Sequence, residues 1–261
     1  MKTICKMQGG SHSYGLNTPA SDIDIRGVFL NDEINTLVGI DRFEHLENRE
    51  NEADDFLFEL RRFLCLLRKG NTQALEMLFN DTWIAIDYEF SQVIAQRHNL
   101  IDPVRLFSCL QGYMHSERRL ANGERTGQLG SKRKAQLDKY GFSPKNFVQL
   151  FRLSYCGSTF FSTGEFPVNV VKHNAEFGAK LMAIKTQPEL FKKEELNELV
   201  DKHLAGLTFV FETNKSEICS KFKFDQAVAN ELLLELYGPI IYDQYQALAQ
   251  RRLQAASIPQ R

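Results

Sequence analysis

The stretch "MQGGSHSYGLNTPASDIDIRGVFL", Met7 to Leu30, sets a double glycine and a serine about ten residues ahead of two aspartates separated by one isoleucine. Thr3 to Gln8 has the composition of a short strand, and Ile23 to Leu30 alternates and is rich in β-branched residues, so the stretch is expected to join strand to strand. Asp22 and Asp24, at i and i+2, would then share one face of the second strand, roughly 6–7 Å apart along it. Two carboxylates so placed can reach one hard divalent cation or a pair of them, since such ions prefer carboxylate oxygens and water. Gly9 and Gly10 leave backbone N–H groups open to close approach by phosphate oxygens, and the Ser11 hydroxyl adds a hydrogen bond. Together these features read as half of a nucleoside triphosphate site. A lone D-x-D is weak evidence, because about one is expected by chance in a chain of this length.

Outward from this stretch, Phe56, Leu60, Phe63, Leu64 and Leu67 recur at helical spacing, which predicts a helix starting at about Phe56 to Phe58 and ending at Lys69-Gly70-Asn71. "TQALEMLF" begins another helical turn and "TWIAI" has the pattern of a short strand. Beyond about Asp102 helix dominates. Pro103 to Ala121 is periodic, Ser143-Pro144 offers an N-cap with proline at the first helical position, and "KKEELNELVDKHLAGLTFVFE" and "DQAVANELLLELYG" are amphipathic. The glycine-rich, basic "NGERTGQLGSKRK" between them predicts a loop. The expected fold class is α+β, with a small mixed-sheet domain over 1–101 followed by an all-α domain over 102–261.

The chain has 261 residues and 43% hydrophobic content, enough for a sizeable core. No apolar run approaches the roughly 18–20 residues that span a bilayer, and Met1 to Cys5 lacks a signal-peptide pattern, so no membrane partner and a cytoplasmic location are expected. Cys5, Cys65, Cys109, Cys156 and Cys219 lie far apart with no C-x-x-C pair, which fits reduced core thiols. The six histidines show no metal-ligand spacing, which disfavours histidine chemistry. A net charge of −1 hides an uneven distribution. The local balance is about −8 from Asp32 to Glu59 and about +6 from His115 to Arg152. Solvated faces would explain both blocks; the sharper reading is an acidic metal-binding half beside a basic half facing a polyanion.

The order G-S, Y-G, S-D-x-D-x-R-G within one strand-turn-strand stretch resembles the signature of the DNA polymerase β-like nucleotidyltransferase superfamily. More narrowly it resembles a bacterial and phage-borne branch opening with "GSxxYGLxTPxSDxDxRGV", matched at Gly10, Ser11, Tyr14, Gly15, Leu16, Thr18, Pro19, Ser21, Asp22, Asp24, Arg26, Gly27 and Val28. The likeness continues in "FELRRFLCLLRKGNTQALEMLF" and more faintly in "SPKNFVQLFRL" and "STGEF". Gln73 stands where that branch has proline. The resemblance implies transfer of a nucleoside monophosphate from an NTP to an acceptor hydroxyl, with pyrophosphate released. It implies catalytic, metal-binding acids at Asp22 and Asp24, and a third acid, expected at Asp55 with Asp54 and Glu59 as competitors. Two magnesium ions are the implied cofactors, manganese taking the same ligands. Gly9, Gly10, Ser11 and Arg26 would bind the nucleotide. The basic block, through Lys132, Arg133, Lys134, Lys145 and Arg152, is expected to bind an RNA or other nucleic-acid acceptor. A protein hydroxyl as acceptor, and a catalytically silent nucleic-acid-binding module of the same fold, are the alternatives.

Overall fold

The computed structural model of the protein describes residues 1–33, 45–48, 53–124 and 131–256. Its N-terminal part is built on a five-stranded mixed sheet of order β3-β4-β2-β1-β5. The central strands β1 (Lys2–Gln8) and β2 (Ile23–Leu30) run antiparallel, pairing Met7 with Arg26 and Gln8 with Ile25. Ile4, Cys5 and Met7 of β1 and Val28 and Phe29 of β2 are all buried, so both faces of this pair are covered. β4 (Ala53–Glu59) lies parallel to β2 on its far side, and β3 (His45–Asn48) pairs antiparallel to β4 at that edge. β5 (Trp83–Ile86), expected from "TWIAI", closes the other edge against β1.

One boundary differs from the sequence expectation. The helix predicted from about Phe56 begins only at Leu60, as α2 (Leu60–Arg68), because "ADDFLFE" is taken up as β4. Alternating aromatic and aliphatic residues over "FLF" suit a pleated strand with a neighbour on each side, and pairing with both β2 and β3 outweighs the weak helical periodicity. The N-cap is therefore Glu59: its carboxylate accepts from the backbone N–H groups of Arg61 and Arg62, each at 3.0 Å. α3 (Thr72–Phe79) follows, capped by Asn71.

The short α1 (Gly10–Ser13) sits between β1 and β2, and α4 (Tyr88–Ala95) follows β5. Downstream come α5 (Pro103–Ala121), α6 (Ser131–Tyr140), α7 (Pro144–Thr163), α8 (Val170–His173), α9 (Ala175–Thr186), α10 (Lys193–Lys221) and α11 (Gln226–Ala256). Asp102 caps α5, accepting from Val104 and Arg105. Ser131 to Lys134, read from sequence as loop, form the first turn of α6; "SKRKAQLDKY" holds no glycine or proline and is rich in good helix formers. Residues 125–130 of the expected loop, and most of the acidic block at 34–44 and 49–52, lie outside the described residues.

The buried apolar side chains form one continuous core running from Ile4 and Met7 in the sheet to Phe147, Phe160 and Phe211 in the helices. α7 is its axle, packing against α5, α9 and α10. Aromatic contacts bind these layers, including Phe107 stacked on Phe211 at 4.1 Å and Phe160 edge-on to Phe161 at 5.6 Å. All five cysteines are free. Burial pushes the Cys156 thiol up to about 12, as expected of an inert core residue. No helix of the described residues is long and apolar enough to cross a membrane.

Candidate active site

The chain leaves β1 at Gln8 and turns directly into α1, and this turn lies against the start of β2. The Gly9 N–H donates to the Asp24 carbonyl at 2.7 Å. Gly10 adopts φ +58°, and a Cβ there would fall 1.9 Å from Asp24 Oδ2. Only glycine lets the backbone approach that carboxylate while holding a left-handed conformation. Asp24 is half-buried, with Oδ1 3.7 Å from Arg26 Nη2; Asp22, just before β2, is exposed. Arg26 also donates to the Ile25 carbonyl at 3.1 Å and extends over the Phe56 ring, 5.9 Å from its centroid. Among the described residues the Ser11 hydroxyl has no side-chain partner. Of the residues selected from sequence, Gly9, Gly10 and Arg26 therefore gather around Asp24, with Ser11 next along the turn and Asp22 two residues before Asp24 in the chain.

Asp55 is not brought to them. The parallel register pairs Asp24 with Asp54, Ile25 with Asp55 and Arg26 with Phe56. Residues in register share a face of the sheet and adjacent residues alternate, so Asp55 lies on the face opposite Asp24. Its carboxylate is 3.6 Å from Lys6 Nζ, on the face that Lys6 shares with Gly27. Glu59 is 1% exposed, caps α2 and accepts a hydrogen bond from the Tyr237 hydroxyl of α11, so it is committed to structure. Asp54 alone of the three holds the register position opposite Asp24. Sequence alone could not select it, because period-2 and helical readings of "ADDFLFE" both stood open.

The basic residues divide differently from expectation. Arg133 and Lys134 lie on α6, Lys145 is exposed in the first turn of α7, and Lys132 begins α6 with its side chain outside the described part. Arg152 is no surface residue. It is 0% exposed, donates from Nη2 to Glu76 Oε1 at 2.7 Å, and lies over the Tyr14 ring 3.5 Å from its centroid. Tyr14 donates to the other Glu76 oxygen at 2.9 Å. Burial works against the guanidinium charge, but Glu76 overrides it and holds the Arg152 pKa above its ordinary value; burial likewise raises the Tyr14 hydroxyl. This cluster ties α7 and α3 to the turn after α1. Arg152 at helical spacing within an apolar helix, among Phe151, Leu153 and Cys156, was the available sign of burial.

Two further contacts set the loop that leads to Asp22. Gly15 (φ +72°) packs so closely on α8 and its cap that a Cβ would lie 2.6 Å from Asn169 Oδ1. Lys185, in the last turn of α9, donates to the Leu16 carbonyl at 2.5 Å and reaches Ser21 Oγ at 3.5 Å. Nothing in the local sequence marks Lys185, which is 169 residues from Leu16 along the chain.

A strand, a glycine-serine turn packed close against an aspartate, and a second strand carrying D-x-D in a small mixed sheet have the layout of the polymerase β-like fold. The match of residues 1–150 to the RNA repair pathway DNA polymerase beta family (RlaP) places the chain in that family, and it belongs to it. Members of the wider polymerase β-like group generally use divalent metal ions. A phage relative, described as an uncharacterized 38.9 kDa protein in the nrdC-mobD intergenic region of Enterobacteria phage T4, is 30% identical over 102 residues. That match covers 36% of this chain and 30% of the phage protein.

Proposed function

We propose that the protein transfers a nucleoside monophosphate from an NTP to an acceptor hydroxyl, an RNA end in the first instance, with release of pyrophosphate. The observation that carries this reading is the close approach of the Gly10 backbone to the Asp24 carboxylate, so close that a Cβ would fall 1.9 Å from Asp24 Oδ2, which sets the glycine-serine turn against the D-x-D strand. The donor set is all oxygen, from Asp22 and Asp24 with Asp54 in register, and such a set fits magnesium or manganese. When bound, these ions would offset charge developing on the phosphates and acidify the attacking hydroxyl. Asp22 and Asp24 would hold them. Asp54, favoured over Asp55 by its register, would be the third acid and accept the acceptor's proton. Gly10 and Ser11 would orient the triphosphate through backbone N–H groups and a hydroxyl, while Gly9, whose N–H is given to the Asp24 carbonyl, holds the turn against β2. Arg26 would keep Asp24 in place by its ion pair while remaining near enough to meet a phosphate oxygen.

The division of labour proposed is a nucleotidyl-transfer unit over 1–101 and an acceptor-recognition unit over 102–261. Arg133, Lys134 and Lys145, on the surface of the second, supply the positive face that nucleic-acid phosphates require, with Lys132 beside them in sequence. The test is incubation with each labelled nucleoside triphosphate and magnesium, in the presence of separate RNA and protein pools. Label is expected in RNA, with stoichiometric pyrophosphate. Label in protein alone would move the acceptor class to a protein hydroxyl, and RNA binding without magnesium and without pyrophosphate would overturn nucleotidyl transfer altogether. Replacing Lys132, Arg133 and Lys134 by alanine is expected to weaken RNA binding and flatten its salt dependence, leaving nucleotide affinity unchanged.

A further inference from the structure

A cavity of about 60 Å³ lies between α3 and the glycine turn. Gln8, Gly9 and Gly10 line it from the end of β1, Gln73 and Glu76 from α3, and Arg26 from β2, two residues along the strand from Asp24. Gln73 and Glu76, three residues apart, share a face of the helix. Gln73 is also the residue that stands where the resembling branch has proline, a side chain with no amide to offer. Among the described residues the half-buried Gln8 and exposed Gln73 side chains make no hydrogen bond. Asn80, on the same cavity, is by contrast used within the fold: its Nδ2 donates to the Gln8 carbonyl at 3.1 Å and its Oδ1 accepts from Thr82. Glu76 accepts from Arg152 on one oxygen and from Tyr14 on the other. A carboxylate has about four acceptor positions and no donor, so about two remain. The cavity therefore joins a group that takes only donors to two amides that both give and take. Phosphate does not suit it, because Glu76 repels a second anion. An amino group beside a ring nitrogen does: the amino group donates to the carboxylate, and the ring nitrogen accepts from an amide N–H.

We propose that this cavity receives the base edge of the nucleotide, and that Gln8, Gln73 and Glu76 select the amino-bearing edge shared by adenine and cytosine. A volume of about 60 Å³ holds about two waters, so it takes the edge of the heterocycle and not the whole ring. A ligand that displaces such waters must replace their hydrogen bonds, which the amino edge does. Uracil and guanine carry a carbonyl oxygen where cytosine and adenine carry the amino group, and that oxygen would face the Glu76 carboxylate. The nucleotide as ligand rests on the nucleotidyl-transfer reading above; the preference for an amino edge rests on the donors and acceptors of the cavity.

The experiment is calorimetric titration, with magnesium, of the ATP, CTP, GTP and UTP analogues whose α–β bridge is a methylene group, into the wild type and the variants Q8M, Q73M and Q8M/Q73M. The wild type is expected to bind the adenine analogue, the cytosine analogue or both about tenfold or more tighter than the other two, and which of the two arms gains decides between these bases. In Q8M/Q73M that ratio is expected to fall to about threefold or less while affinity for the uracil analogue stays within about twofold, a pattern that a purely structural role would not produce. A wild type that binds none of the four, binds all four within about threefold, or prefers uracil or guanine would overturn the proposal, as would a double variant that keeps the wild-type ratio. If Q8M fails to fold, Q73M carries the test, since Gln73 is exposed and its side chain makes no hydrogen bond within the described protein; an unchanged ratio in Q73M overturns the assignment. The four natural triphosphates, assayed for pyrophosphate release with an RNA pool, separate the two readings. Release together with unselective binding overturns the base pocket alone, whereas selective binding that the variants erase, without release, upholds the pocket and overturns nucleotidyl transfer.

Discussion

Two groups of charge flank the short helix α1, and the fold treats them in opposite ways. On one side Asp22 is exposed and Asp24 half-exposed, with Asp24 at a loose 3.7 Å from Arg26. On the other, Arg152 is wholly buried and held by Glu76 at 2.7 Å and by the Tyr14 ring. The first, the Asp24–Arg26 pair, contributes little to stability, since exposed pairs are worth about 0–1 kcal/mol. The second is structural: a charge removed from water must keep its partner. Neighbouring charges thus meet opposite fates, one group left toward the surface and the other sealed in the core.

The comparison breaks most directly at the exposed acids. Asp22→Asn or Asp24→Asn is expected to reduce pyrophosphate release at least about a thousandfold while leaving the melting temperature nearly unchanged, because removing one of two crowded negative charges relieves repulsion as it removes a ligand. Turnover above a tenth of wild type in both variants, at saturating magnesium, would place the chemistry elsewhere. The buried cluster should respond the other way. Arg152→Met leaves Glu76 uncompensated and is expected to cost about 3–5 kcal/mol in denaturant unfolding, with the Arg152→Met/Glu76→Gln double variant recovering part of it. A loss in RNA affinity with full stability would return Arg152 to the acceptor surface.

A finer test lies on β4. Asp54→Asn is expected to lower single-turnover transfer about a hundredfold, and Asp55→Asn, which removes only the contact with Lys6, much less. The reverse ranking would mean that the register shifts when substrate binds. Tyr237→Phe removes a hydrogen bond to buried Glu59 and is expected to cost about 1–3 kcal/mol of stability with transfer unaffected. The smallest effect is in pH. Burial lowers the pKa of His203, whose Nδ1 lies 3.1 Å from Ser154 Oγ. The unfolded chain therefore binds this proton more readily, and stability is expected to fall as pH drops below about 6.5 toward the lower folded value. A His203→Gln variant should lose that part of the acid dependence.

The turn at Met7–Leu30 was legible because its chemistry is local. Glycines, a hydroxyl and same-face aspartates within one strand-turn-strand segment constrain one another without help from the rest of the chain, and helices such as Pro103–Ala121 announce themselves by period and cap. Phe56 to Glu59 was misread for the converse reason. A strand flanked by partners on both sides owes its state to pairing with β2 and β3, and its own periodicity does not report neighbours that come from elsewhere in the chain.

By itself, then, the sequence determined the α+β class and the polymerase β-like family, and it marked Gly9, Gly10, Ser11, Asp22, Asp24 and Arg26 as candidates. The tertiary structure decided which acid of β4 stands in register with Asp24, that Arg152 belongs to the core, and that Lys185 meets a loop 169 residues away. The physical reason is the range of the forces involved. Turn geometry and strand alternation are fixed over a few residues, whereas burial, register and contacts such as that of Lys185 with Leu16 depend on which distant segments the hydrophobic core draws together.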